Sequence, residues 1–229
     1  MTVQEIFVRS SNIGSAREAL DVGVERHESF LRRMGLLSKL DVELPEVATP
    51  QVPPHWSRAT TVTAAFGHGF ATTPLQTAVG IGGILNDGKL VEPTFLKREH
   101  REDPLPVRNI VPPTTSRSMR RLYRLNVMSG TGKKADIEGY RVGGKTGTAE
   151  KVIDGHYARH HNFNVFSAAF PMDDPRYLVM TIIDDPQGGV PTYLRTASYT
   201  AAPVAAKVIT RVAAMLGVAP KFGPIQISQ

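Results

Sequence analysis

The order of patterns along these 229 residues predicts an α+β domain, an antiparallel sheet covered by helices. Three observations carry that prediction. Apolar residues recur at helical spacing over 12–35 and again over 73–86. From 141 onward the stretches 141–152, 162–170 and 177–184 read as strands joined by short links, which makes an antiparallel meander. The alanine-rich stretch 196–216 then returns to the helical period, with Ala201, Val204, Val208 and Val212 on the face expected to pack across the sheet.

The first helix is expected over 12–35, where Ile13, Ala16, Leu20, Val24 and Leu31 form one stripe and Gly35 provides a stop. A proline-rich connector follows at 41–60, where Trp56 is expected to pin the loop to the core. The next helix has a clear start, with Thr73 as cap and Pro74 in the first helical position, and it stops at Asn86-Asp87-Gly88. Residues 89–114 read as extended and irregular, and 116–128 as a basic amphipathic helix carrying Met119, Leu122 and Val127. Pro171-Met-Asp-Asp-Pro-Arg176 has the composition of a hairpin turn. The whole of 1–229 reads as one domain, with 218–229 as a flexible tail.

Composition narrows the function. Hydrophobic residues make up 41% and charged residues 21%, as in ordinary globular domains. There is no apolar window of the roughly 18 residues a membrane helix needs, and no basic-then-apolar leader. A membrane anchor is therefore expected outside this sequence. The absence of cysteine excludes disulfides, thiolate catalysis and cysteine-based zinc sites. The net charge of +6 is spread along the chain, and basic residues do not interleave with aromatics, so nucleic acid is not an expected partner. His156, His160 and His161 fall in G-H-Y-A-R-H-H, expected as a loop between strands, with no carboxylate at matching spacing; no metal or other cofactor is implied.

Two short stretches carry chemistry. V-G-G-K-T-G-T-A-E-K-V at 142–152 puts Lys145, Thr146, Gly147 and Thr148 on a strand. An ammonium can bind a carboxylate, a threonine hydroxyl adds a directed hydrogen bond, and a glycine lets a substrate lie against the backbone. The next N–H, at Thr148, could face a developing oxyanion. A lysine that merely blunts a sheet edge fits the same residues. R-S-S-N-I-G at 9–14 opens a helix, and Ser and Asn there suit capping alone. Ser10 as a proton relay and Asn12 as an amide for a substrate carbonyl fit equally.

Taken together, Ser-x-Asn and Lys-Thr-Gly resemble the motif set of β-lactamases and penicillin-binding proteins. The chain is similar specifically to the class B penicillin-binding proteins, the peptidoglycan D,D-transpeptidases, and within them to the septal cell-division type. F-G-H-G-F-A-T-T-P-L-Q at 66–76, N-D-G-K-L-V-E-P at 86–93, G-T-G at 130–132, G-Y-R-V-G-G-K-T-G-T-A at 139–149 and F-S-A-A-F-P at 166–171 extend the likeness over nearly the whole chain. The resemblance implies a transpeptidase fold of the penicillin-binding-protein and β-lactamase kind. It also implies acyl transfer from D-Ala-D-Ala stem peptides through an acyl-serine, β-lactam antibiotics as ligands of the same serine, other division proteins as partners, and residence at the periplasmic face of the bacterial inner membrane. Ser10 and Asn12 then match the family's second motif, and Lys145 and Thr146 its third. Thr148 matches the residue whose hydroxyl meets the carboxylate and whose backbone helps form the oxyanion hole.

The nucleophile motif Ser-x-x-Lys does not occur: no serine has a lysine three residues on. Thr131-Gly-Lys-Lys134 has the spacing but a threonine, within the G-T-G stretch. In the family the nucleophile lies well before Ser-x-Asn, and nine residues precede Ser10, so the chain is expected to be the C-terminal part of a transpeptidase domain, incomplete on its N-terminal side. A β-lactamase or D,D-carboxypeptidase shares the motif set, and a non-catalytic module binding peptidoglycan or division proteins would share the fold.

Overall fold

The structure is a computed structural model and describes residues 1–97, 105–153, 156–187, 191 and 194–223. It is α+β, as expected. The chain divides into two compact units, Met1–Ser10 with Arg120–Gln229, and Ser11–Met119.

In the second unit, α2 (Asn12–Val22) begins where Ser11 accepts a hydrogen bond from the Gly14 N–H at 3.1 Å. The single helix expected over 12–35 is broken at Gly23, whose φ of 91° lies outside the helical region, and α3 (Val24–Arg33) starts anew. Periodicity ran through the break because Val22 and Val24 keep the apolar tone. Ile13 is 78% exposed, so the predicted stripe does not hold at its first turn. The end of the connector runs into α4 (Arg58–Ala64), a helix capped by Ser57 that sequence reading missed. Trp56 does pin it: Nε1 donates to Thr61 Oγ1 at 3.0 Å and the indole packs on Phe70. α5 (Pro74–Leu85) has the predicted cap, extended into a capping box by Gln76. Part of the stretch expected to be irregular pairs instead, β1 (Lys89–Val91) lying antiparallel to β2 (Val107–Asn109). Leu31, Met34, Leu36, Leu37, Leu90 and Ile110 form this unit's core.

The first unit holds α1 (Val3–Arg9), the part of α6 (Pro113–Ser129) from Arg120 on, and a sheet. The sheet is the expected antiparallel meander, in the order β3 (Gly143–Ile153), β4 (His156–Phe170), β5 (Tyr177–Asp184). Its first hairpin is longer than predicted. The G-H-Y-A-R-H-H stretch is strand from His156 on, with Ile153 opposite His156 and Val152 opposite Tyr157. His161 on that strand pairs with Asp185 at 2.9 Å. Phe166, Phe170, Val142 and Val127 fill the core under α7 (Ala201–Val212).

The face of α7 differs from the predicted one. Ala201, Ala202, Ala205 and Ile209 are buried, whereas Val204 is 37% exposed. Counting valines as the apolar stripe missed that alanines let a helix approach a sheet closely, and close packing outweighs the larger but more distant side chains. The tail expected over 218–229 is held at its start: Val218 is buried, the Lys221 N–H donates to the Gly139 carbonyl at 2.8 Å, and Lys221 Nζ reaches Asp173 at 3.1 Å. Its remainder, 224–229, lies outside the described residues. No described helix is long and apolar enough to cross a membrane.

The α7 face is open to direct test. Ala205→Leu should overpack the helix–sheet contact and cost about 1–3 kcal/mol. Val204→Leu on the neighbouring, more exposed position should stay within roughly 0.5 kcal/mol of wild type. Urea midpoints of the two variants measure both, and equal losses would contradict the assigned face.

Candidate active site

The site is built on β3. The glycine pair at its start lets the strand sit tightly on the core. A Cβ on Gly143 would fall 2.6 Å from Met172 Cγ, and one on Gly144 would fall 2.4 Å from Phe166 Cζ. Alternation along the strand then puts Lys145 on one face and Thr146 on the other.

The strand's polar groups show which edge is free. Ser167 of β4 donates to the Lys145 carbonyl at 3.4 Å, so that carbonyl faces β4. The Gly144 and Thr146 carbonyls point the other way, where they accept from Asn126 Nδ2 at 2.8 Å and Lys145 Nζ at 2.9 Å. The N–H and C=O of one strand residue point to the same side, and residues two apart repeat it. The Thr148 N–H therefore faces the outer edge of β3. Gly147 has open space beside it: a Cβ there would touch only Val165, at 3.9 Å, so packing does not demand a glycine.

Lys145 Nζ is 2.6 Å from Ser10 Oγ and lies 5.8 Å from the centre of the Phe7 ring. Ser10 sits at the C-terminal cap of α1 with φ 53° and ψ 52°, a left-handed conformation that costs a non-glycine residue about 1–2 kcal/mol. Strain of this kind gathers at functional positions. No described carboxylate pairs with Lys145. Burial without a counter-charge pulls its pKa down from 10.5 to about 8. Behind it, the buried Tyr123 hydroxyl is pushed up to about 12 and hydrogen-bonds Ser167.

On the opposite face, Thr146 Oγ1 is 2.7 Å from Thr131 Oγ1. Thr148 Oγ1 accepts the Ala197 N–H at 3.0 Å, which leaves its own proton free to donate. Ser10 and Lys145 are thus drawn together at the Thr146 carbonyl, the Thr146 hydroxyl lies on the opposite face, and exposed Gly147 and Thr148 follow along the same strand. Asn12 is the exposed first residue of α2 in the other unit, and the capping duty there belongs to Ser11. Sequence reading missed Phe7, Asn126 and Thr131 as parts of the site. Thr131 lies 15 residues from Thr146, a separation no periodicity reports; the G-T-G stretch was its only signal.

The family described as penicillin binding protein transpeptidase domain matches residues 1–210. Among its relatives, the chain is 36% identical to the probable peptidoglycan D,D-transpeptidase FtsI of Caulobacter vibrioides, over all of this chain and 40% of that protein. It is 29% identical to stage V sporulation protein D of Bacillus subtilis, over 98% of this chain and 36% of that protein. The transpeptidase domain of Burkholderia pseudomallei penicillin-binding protein 3 superposes with a TM-score of 0.88 at 28% identity, over 97% of this chain and 67% of that one. Penicillin-binding protein 3 of Mycobacterium tuberculosis, complexed with ampicillin, gives 0.85 at 28% identity, over 98% and 53%. The chain belongs to the transpeptidase-domain family of the class B penicillin-binding proteins. It spans less than half the length of the two curated relatives named.

Titration of Lys145 follows from its burial. Its Nζ should titrate near pH 8, well below its ordinary value of 10.5. The fold disfavours the charged form, so stability should rise between pH 8 and 10.5, where the unfolded chain still binds the proton that the folded one has released. Relative to Lys145→Met, wild type should gain stability over that window. Nitrogen-detected titration with urea midpoints at both ends checks this, and a midpoint above 10 would remove the premise.

Proposed function

We propose that this chain forms the C-terminal portion of a single peptidoglycan D,D-transpeptidase domain. The observation that carries the reading is Lys145 Nζ on Ser10 Oγ at 2.6 Å, at the open edge of a strand that also carries the Thr146 and Thr148 hydroxyls. The relatives' names and the ampicillin complex of a structural neighbour support the same chemistry.

In this reading a serine from a Ser-x-x-Lys motif elsewhere in the protein attacks the penultimate D-Ala carbonyl of a stem peptide. The Thr148 N–H holds the oxyanion. Ser10, hydrogen-bonded to Lys145, relays to the departing D-alanine amine the proton that the attacking serine gave up to the lysine of its own motif, and Lys145 stays a cation. The amine of a neighbouring stem peptide then takes the acyl group and regenerates the serine. The terminal carboxylate of the peptide, or that of a β-lactam, meets Lys145 and the hydroxyls of Thr146 and Thr148. Asn12 supplies an amide for the substrate carbonyl. The longer protein works at the periplasmic face of the inner membrane, in the septum, among other division proteins, with its membrane anchor outside this sequence.

Fluorescent penicillin tests the reading. The chain alone, which lacks Ser-x-x-Lys, should take no denaturation-resistant label, and the longer protein should take one. In the longer protein Lys145→Ala should slow acylation about ten- to a hundredfold, the equivalent of roughly 1.5–3 kcal/mol for a charged hydrogen bond, and Lys145→Arg should slow it less. Unchanged acylation of Lys145→Ala would refute a site role. Rapid hydrolysis of the acyl-enzyme would favour a β-lactamase, and no labelling of the longer protein would favour a binding module.

A further inference from the structure

We propose that Asn126 and Thr131 are positioning residues for Thr146, and that the two threonine hydroxyls form a reversible relay that turns the Thr146 proton toward a bound carboxylate. The proposal rests on the reading of the β3 edge as a carboxylate site.

Asn126 lies in the last turn of α6, fully buried. A buried amide is costly unless its groups are paired, and here the pairing goes entirely to the site. Nδ2 donates to the Gly144 carbonyl at 2.8 Å, one residue before Lys145. Oδ1 accepts from the Thr131 N–H at 3.1 Å and from the Thr131 hydroxyl at 3.2 Å. The turn is wrapped around this side chain: the Gly130 and Gly132 N–H groups both donate to the Asn126 carbonyl, and a Cβ on Gly130 would fall 2.3 Å from Oδ1. Ser198 Oγ donates to the Thr131 carbonyl at 2.6 Å and holds the turn from its other side. Thr131 Oγ1 is thereby fixed 2.7 Å from Thr146 Oγ1.

Two protons serve three oxygens, and they can run in either direction. With the site empty, Thr146 donates to Thr131, and Thr131 donates to Asn126 Oδ1. Toward the strand edge Thr146 is then only an acceptor, its proton being spent on Thr131. An anion at the β3 edge turns both protons: the Thr131 hydroxyl lets go of Asn126 Oδ1 and donates to Thr146, and Thr146 donates to the anion. Asn126 Oδ1 keeps the Thr131 N–H, so no buried acceptor is stranded. Only hydroxyl protons rotate. Each bond in such a chain polarises the next, which makes Thr146 a better donor to an anion with Thr131 behind it than without.

The test uses the isotope-labelled chain and two probes, N-acetyl-D-alanyl-D-alanine and its C-terminal amide. Thr131→Val should weaken binding of the acid about tenfold, the effect of one lost directed hydrogen bond, and leave the neutral amide unchanged. Thr131→Ser should restore the acid to within about twofold. In a Thr146→Val background, Thr131→Val should have almost no effect, because it acts only through Thr146. Unchanged backbone shifts over 143–170 establish that the variants keep the fold; if valine disturbs them, Thr131→Ala replaces it. Equal loss for acid and amide, or an undiminished loss in the Thr146→Val background, would overturn the relay while leaving the carboxylate site intact. Failure of the wild-type chain to prefer the acid would overturn the carboxylate reading, and the relay with it.

Discussion

The contact on which the site depends is the one between Gly144 and Phe166. Phe166 is fully buried and lies on β4, opposite Thr146 in the ladder. Its ring occupies the volume a side chain at 144 would need. With that space filled by an aromatic ring rather than a methyl group, β3 comes down onto the core at a fixed height. Every later residue of the strand inherits that height through the alternation of the pleat. Lys145 reaches Ser10, Thr146 reaches Thr131 and Thr148 reaches the Ala197 N–H because the strand is anchored just upstream of them, at Gly144.

That anchoring also explains how one lysine can be both half-buried and unpaired. An ammonium without a carboxylate is unfavourable in a closed environment, and the depressed pKa of Lys145 records the cost. The fold tolerates it because the neighbours are weakly attractive rather than hostile: a hydroxyl, a backbone carbonyl and the face of Phe7. None of these neutralises the charge, so it remains available to a ligand that carries its own anion.

Much of this was legible in the sequence, and the reasons divide by residue. Thr73, Pro74 and Gln76 announce α5 because capping is local chemistry. The strands of the meander were visible because their links are short. Gly23 escaped notice because valines on either side disguised a break in the backbone. The valines of 204–212 drew attention away from the alanines that make the closer contact with the sheet. Ser10, Lys145 and Thr146 could be chosen from their motifs. Their meeting could not be, since Ser10 and Lys145 lie 135 residues apart and only the packing of α1 beside the sheet joins them. Asn126 was invisible for a related reason: a polar residue on a helix normally faces water, and its burial is known only once the G-T-G turn closes over it.

The two threonines of β3 then divide their work by what lies behind each. Both are β-branched and sit on a strand, so χ1 is stiff and only the hydroxyl proton turns freely. Thr148 has a backbone N–H behind its oxygen, a donor that cannot reverse, so its proton always points away from Ala197. Thr146 has another hydroxyl behind it, which can either accept or donate. One strand edge therefore presents a fixed donor and an adjustable one two residues apart, beside a cation that no described carboxylate pairs. A serine at either threonine position would keep the oxygen but free χ1, and a valine would keep the shape but lose the proton. Threonine alone among the standard residues supplies both the stiff stem and the turning proton. The same reasoning extends to Thr131, where the backbone N–H and the hydroxyl both serve Asn126 and a free χ1 would loosen the link to the strand.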